Sequence, residues 1–408
     1  MMEGPSLQAA VGRLADAQLN LAAWGLTMSL SLLVESPVIM LLATTIALCR
    51  SRQAFEALRR YVLGLCAACT LLAAVLAFTP LYSLVTRALM GQPEAIAAAT
   101  RPALGIMLLW TAAIGYRRFY QGVLVRAAQT VRVSWGTAVR LLSVAITAVT
   151  LVQARVLPGV QLAAVAIMAG VISEAVATRL FAVGATRAIA PPLEGSPPLT
   201  RADITRFHAP LAATTLMTLT APPLTALALA RLPHPEQTLA AWPVAFSVLF
   251  VIRGGAMALQ EIAVACGHDP RARASLARFT WIVGSLCSLA AVALAFTPLL
   301  HVYLATALRV PDALHEGVGR AIAISSALPL LTAVSSWMRG LLMAERATPA
   351  VYAGMGVALG TQIALLLAAV VLGGNGIDTA AGATTGAALA ECVYLRVRLR
   401  DLSFSAGA

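Results

Sequence analysis

Nine charged side chains interrupt long apolar runs of this sequence: Glu35, Arg117, Arg118, Arg140 and Glu174 in the first half, Arg253, Glu261, Arg339 and Glu391 in the second. At the centre of a bilayer each would cost about 2.5 to 3.5 kcal/mol on insertion scales, so such residues face protein or water and mark paths for ions or charged substrates. Guanidinium groups suit phosphate and carboxylate, because their N–H donors form a fixed fork. Buried glutamates suit proton or cation traffic, or pair with an arginine. Catalytic groupings are not evident: no nucleophile stands beside a base, no phosphate-binding loop occurs, and the five histidines are scattered. No catalytic residue and no metal site is therefore expected. Cys66-x-x-Cys69 lacks a second ligand pair and reads as two small packing residues on a helix.

The elements that carry these charges follow from composition. Of 408 residues 60% are apolar and 11% charged, with a mean hydropathy of +0.84, which does not describe a water-soluble surface. A spanning helix takes about 20 residues, so the length holds about 11 to 12 spans and no large extramembrane domain. Runs such as 62–76, 141–152, 281–296 and 357–372 are apolar on all sides and lack the alternation of barrel strands, so the fold class is all-α and polytopic. Helices are predicted over 22–48, 61–85, 102–126, 136–155, 160–183, 206–231, 240–265, 279–303, 320–344, 349–372 and 377–396, with a short piece at 5–14.

The chain repeats itself. Leu21-Ala22-Ala23-Trp24 recurs as Leu239-Ala240-Ala241-Trp242, and Leu76-Ala77-Phe78-Thr79-Pro80-Leu81 as Leu294-Ala295-Phe296-Thr297-Pro298-Leu299, both displaced by 218. Pro93 and Pro311, Gly122 and Gly340, and Gly136 and Gly354 keep that displacement; Glu174 and Glu391 are 217 apart. Two pseudo-symmetric six-helix bundles of like orientation are expected. They comprise an N-terminal lobe at 1–186, a cytoplasmic linker at 187–205 containing Pro191, Pro192, Pro197 and Pro198, and a C-terminal lobe at 206–408. The register places Met1 on Leu219, so the first span is expected to be truncated, with an upstream in-frame extension completing it.

All 29 cationic residues are arginine, against 17 acidic ones. They punctuate the gaps between apolar runs instead of covering a polar domain, which argues for membrane topology and against nucleic acid. Sixteen, including Arg50, Arg126, Arg187, Arg271, Arg346 and Arg396, fall on one set of alternate loops and seven on the other. The positive-inside rule then puts the linker and the C-terminus in the cytoplasm, with the chain in the cytoplasmic membrane.

Roles can be assigned to the deep charges. Glu35 and Arg253 occupy equivalent positions with opposite charge, beside Ser36-Pro37 and Gly254-Gly255, so Glu35 is expected to gate or couple and Arg253 to bind substrate, the two pairing in one access state. Arg117 lies nine residues, about 13 Å, from Arg126, too deep for a loop charge, and shares a helix face with Gln121. Arg117, Arg118, Gln121 and Arg339, which falls on Gln121 in the repeat, complete the expected substrate-binding set. Glu261 reads as a coupling carboxylate or a helix-end charge. Glu174 and Glu391, kept in both halves and each followed five residues later by arginine, read as structural.

The pattern resembles the multidrug/oligosaccharidyl-lipid/polysaccharide exporter superfamily, which includes multidrug and toxin extrusion transporters and lipid II flippases. Within it, the resemblance is to the progressive ankylosis family and its bacterial relatives, on Ala23-Trp24-Gly25-Leu26-Thr27-Met28-Ser29-Leu30, Trp242-Pro243-Val244-Ala245, Glu261-Ile262, Arg339-Gly340-Leu341-Leu342-Met343 and the segment from Gly386 to Glu391. This resemblance implies alternating access by rocking of two lobes and export of organic or phosphate-bearing anions. It also implies a coupling ion, H+ or Na+, although the helix at 206–231 carries His208 and no acid. The expectation is a monomeric secondary transporter without a cofactor, with a multidrug antiporter or a flippase for a lipid-linked precursor as alternatives.

Overall fold

The computed structural model describes residues 3–191, 198–266, 270–345 and 347–405; Pro192 and Pro197 of the linker and Arg346 lie outside them. The chain is 88% helical, and no strand occurs among the described residues. We number the helices α1 (Glu3–Val11), α2 (Ala17–Leu48), α3 (Arg52–Phe78), α4 (Glu94–Arg126), α5 (Thr130–Ala154), α6 (Gly159–Phe181), α7 (Arg201–Leu229), α8 (Pro235–Val264), α9 (Arg271–Phe296), α10 (the bent pair Asp312–Ile324 and Leu328–Ala344), α11 (Thr348–Leu372) and α12 (Gly376–Ser405). Among the described residues nine are long and apolar enough to cross a membrane, and the bent α10 makes ten. α12 has the length of a span, 30 residues, but its Gly, Ala and Thr content and its charges lower its hydropathy. This is a multi-pass helical membrane protein.

Several helices run past the apolar stretches that announce them, because polar turns extend them beyond hydrocarbon. α3 begins at Arg52, nine residues before the expected 61, where the Ser51 hydroxyl caps the helix by accepting from the Ala54 amide at 3.3 Å. It ends at Phe78, with Thr79 extended before Pro80.

The helices differ in which faces they bury. Large apolar side chains at Val131, Trp135, Leu142, Ile146 and Val149 form an exposed stripe on α5, and Leu365, Leu367, Val371 and Leu372 stay exposed on α11. Such stripes would aggregate in water and suit a lipid surface. The apolar window of α6 is by contrast 61% buried, so α6 is an inner helix of its lobe.

Two compact units emerge. One comprises Met1–Arg13, Ala17–Ala22 and Leu224–Ala408; the other comprises Leu14–Asp16 and Ala23–Pro223. The division thus falls inside α7, not in the linker at 187–205. The reason lies in what each part of α7 touches. In the second unit His208 contacts Thr44 and the Pro37 carbonyl, both at 2.8 Å. In the first unit Thr225 accepts from Gln362 at 3.1 Å and Leu224 packs with Ala228, Leu366 and Ala383. Pro222 and Pro223 stand at the changeover and remove two ladder donors there.

The duplication reaches the backbone. Left-handed residues Asp16, Gly91 and Arg155 recur as His234, Arg309 and Gly373, each 218 residues on. α2 breaks at Met40 and α8 at Ala258; α4 tightens at Met107–Leu109, and α10 bends over residues 325–327, again displaced by 218. The helix crossings repeat as well. A Cβ on Gly122 would lie 2.6 Å from the Thr45 Cβ and 3.0 Å from the Leu42 carbonyl oxygen; on Gly340 it would lie 2.5 Å from the Ala263 Cβ and 2.4 Å from the Gln260 oxygen. Both glycines let two backbones touch, the small-residue mode of packing in lipid.

Gly340→Ala must therefore push α8 and α10 apart, at a cost of about 1 to 3 kcal/mol. Its unfolding midpoint in detergent should fall clearly below that of Gly360→Ala, whose added methyl meets nothing within 4 Å. Equal midpoints would contradict the close approach.

Candidate functional site

The deep charges collect into two centres, one in each unit. In the first half, α4 presents Arg117 and Gln121 one turn apart, α5 presents Arg140, and all three converge on Glu174 of α6. The Arg117 guanidinium donates to Glu174 Oε2, Arg140 Nη1 reaches the same oxygen at 3.4 Å, and Gln121 Nε2 donates to Oε1 at 3.2 Å. Glu174 is fully buried, and Arg117 and Gln121 nearly so. α5 and α6 approach closely because Gly170 sits against Val144 and the Arg140 backbone.

In the second half Glu391 of α12 receives a two-pronged bond from Arg339 of α10, Nε to Oε1 at 2.7 Å and Nη2 to Oε2 at 2.5 Å. The carboxylate is retained by the repeat, but its cation moves by one helical turn. Arg117 has Ser335 as its equivalent, whereas Gln121 has Arg339. Either position reaches the same carboxylate, since residues four apart share a helix face. Of the arginines five residues after these glutamates, Arg179 lies over the Tyr120 ring at 5.0 Å.

Glu35 is buried on α2 and accepts from the Trp110 indole N–H at 2.6 Å. Trp110, absent from the sequence-based set, directly follows the Met107–Leu109 break in α4; nothing in the local sequence marks it as a partner. A cleft of about 20 Å³ beside it, lined by Ser31, Val34, Met107 and Thr111, has room for about one water. Arg118 lies within electrostatic reach of Glu35 and Glu174 as well as of Arg117 and Arg140. Arg253, on α8, stacks over Phe246 at 4.9 Å and Phe250 at 5.5 Å. No carboxylate lies within ion-pairing distance of Arg118 or Arg253 among the described residues, and the Nε of each is enclosed without an acceptor.

The expected binding set is thus divided. Arg117, Gln121 and Arg339 are committed to the glutamates read as structural; Arg118 and Arg253 are the deep guanidinium groups without a carboxylate. Glu261, at the first turn after the α8 break, is exposed. The histidines are less scattered than expected: His301 and His315 meet edge to face with centroids 4.8 Å apart.

No protein-family model matches this chain, and no curated relative does. Solved structures do. A multidrug resistance MATE family transporter of the MOP superfamily, inward-facing, is 13% identical over 99% of this chain and 96% of its own, with a TM-score of 0.74. The lipid II flippase MurJ, inward closed, is 9% identical over 98% and 85%, with a TM-score of 0.73. An outward-facing MATE family transporter is 14% identical over 98% and 94%, at 0.64. The fold is that of MOP superfamily transporters, with its two repeated helical lobes.

The Arg339–Glu391 pair yields a test of role. Removing Arg339 strands the buried Glu391 carboxylate at about 3 to 5 kcal/mol, and removing Glu391 leaves the partly exposed Arg339 unpaired at a smaller cost, whereas replacing both by apolar residues of similar volume is close to neutral. Arg339→Met and Glu391→Met should each lower the unfolding midpoint in detergent, and the double variant should regain most of it. A double variant as unstable as the worse single one would show that the pair is not the isolated unit described.

Proposed function

We propose that this chain is a secondary active transporter of the cytoplasmic membrane that exports an organic or phosphate-bearing anion by alternating access. The observation that carries the reading is the pair of deep guanidinium groups, Arg118 and Arg253, neither of which has a carboxylate within ion-pairing distance among the described residues. Both are partly shielded from water; a cation at that depth without a counter-ion is costly, and an anionic substrate would supply that counter-ion. Arg117, Gln121 and Arg339 then act at one remove, holding α4 and α10 in place through Glu174 and Glu391. The transporters of this fold solved in inward- and outward-facing states support alternating access.

Glu35 is the candidate for coupling to H+ or Na+. It is a buried carboxylate whose Oε2 accepts from the Trp110 indole, which leaves Oε1 to take a proton or cation. Movement against a gradient requires such an ion to bias the two access states differently. The arginine-rich loops and the C-terminus face the cytoplasm in this reading, the chain acts as a monomer, and its kinship within the superfamily lies with the progressive ankylosis family on the motifs quoted above. A second reading, a flippase for a lipid-linked precursor, is favoured by the MurJ likeness, which nearly equals that to the MATE transporter.

Uptake of radiolabelled citrate, nucleotides and a cationic dye into inverted vesicles separates these readings. Anion uptake that falls at least tenfold in Arg253→Ala and in Arg118→Ala, with both variants folded, is the expected result. Dye uptake alone would favour a multidrug antiporter, and movement of a lipid-linked headgroup alone would favour the flippase.

A further inference from the structure

A third polar cluster lies away from the paired arginines, at the corner that joins the helical segment Pro298–Leu308 to α10. His301, Asp312 and His315 bring one ligand atom each to within 4.8 Å of one another. We propose that these three residues form a binding site for a borderline divalent cation, Zn2+ in the first instance, with two imidazole nitrogens and one carboxylate oxygen as ligands.

His315 is the anchor. Its ring is 9% exposed, and Nε2 lies 2.9 Å from the Val310 carbonyl oxygen. A carbonyl only accepts, so the proton is on Nε2 and the lone pair is on Nδ1. That atom is buried, has no hydrogen-bond partner, and points toward Asp312, whose Oδ1 is 3.7 Å away. A histidine whose second nitrogen donates to a backbone carbonyl is held in the tautomer and orientation that a metal requires. His301 and Asp312 are exposed and free to close on an ion. Tetrahedral Zn2+ with bonds of about 2.0 to 2.1 Å needs donors roughly 3.3 Å apart, so the two exposed side chains must move in by about 1.5 Å. Three protein ligands leave a fourth position for water.

The repeat supplies a second argument. The equivalent corner of the first half has Ser83, Glu94 and Ala97 in these positions, and Glu94 is paired with Arg87 at 3.2 Å. Ala305 replaces Arg87 in the second half, so the carboxylate at 312 loses its arginine and gains two imidazoles. The corner is also strained there: Arg309 adopts φ 49, where the first half has Gly91 at φ 65. An ion bound to His301 on one side of that turn and to Asp312 and His315 on the other would cross-link it.

The full chain, purified in detergent without a polyhistidine tag and stripped with chelator, tests the site by calorimetric titration with Zn2+ and by Co2+ absorption. One Zn2+ per chain is expected, with the intense visible bands of four-coordinate Co2+. His301→Ala and Asp312→Asn, both at exposed positions where folding is not at risk, should each weaken binding at least tenfold, and Zn2+ should raise the unfolding midpoint of the parent but not of the double variant. Absence of stoichiometric binding, or binding that the His301→Ala/Asp312→Asn double variant leaves unchanged, would overturn the proposal.

Discussion

A charge in hydrocarbon must be neutralised or reached by water, and this requirement organises the interior of both lobes. Glu174 is enclosed by Arg117, Arg140 and Gln121, and Glu391 by the fork of Arg339. Such pairs contribute little net stability, because desolvating both ions offsets most of their attraction, but they fix which helices meet and in which rotation. What the two halves preserve is the carboxylate on the sixth helix. The cation is free to move by one turn along the fourth helix, since both positions present the same face.

That arrangement rests on close backbone approach. Gly122 against Leu42 and Thr45, and Gly340 against Gln260 and Ala263, hold the fourth helix of each half against the second, so the guanidinium-bearing faces cannot rotate away from the sixth. The same register governs the breaks at Met40 and Ala258 and the left-handed residues at 16, 91, 155, 234, 309 and 373. Local backbone geometry and helix packing have thus outlasted most side-chain identities. What differs between the halves, Glu35 against Arg253, Arg118 against Ser336, and Glu94 with Arg87 against Asp312 with two histidines, is where function is to be sought.

Much of this is legible in the amino-acid order. Hydrophobic runs locate the spans because lipid tolerates nothing else, and the 218-residue displacement is visible in Leu-Ala-Ala-Trp, which is buried in both halves, and in Leu-Ala-Phe-Thr-Pro-Leu, which ends a long helix in both. The shared face of Arg117 and Gln121 follows from helical spacing alone. The partners do not. Glu174 is 57 residues from Arg117, and Glu391 is 52 from Arg339, so pairing depends on which helices are neighbours, a fact that periodicity does not encode. Trp110 and Glu35 are 75 residues apart, so their bond too depends on which helices are neighbours. His301 and His315 are separated by a turn whose closure no metal-binding spacing announces. The proline-rich linker is conspicuous, yet the compact units part inside α7, where Pro222 and Pro223 interrupt the helix ladder.

The central claim is that the deep arginines fall into two kinds, those committed to a glutamate and those available to a substrate anion. Solid-state nitrogen NMR of arginine-labelled protein in bilayers, recorded with and without citrate or pyrophosphate and assigned by single substitutions, addresses it directly. The guanidinium resonances of Arg118 and Arg253 should shift on adding the anion while those of Arg117 and Arg339 stay in place. Shifts confined to Arg117 and Arg339, or none at any of the four with either anion, would contradict the account.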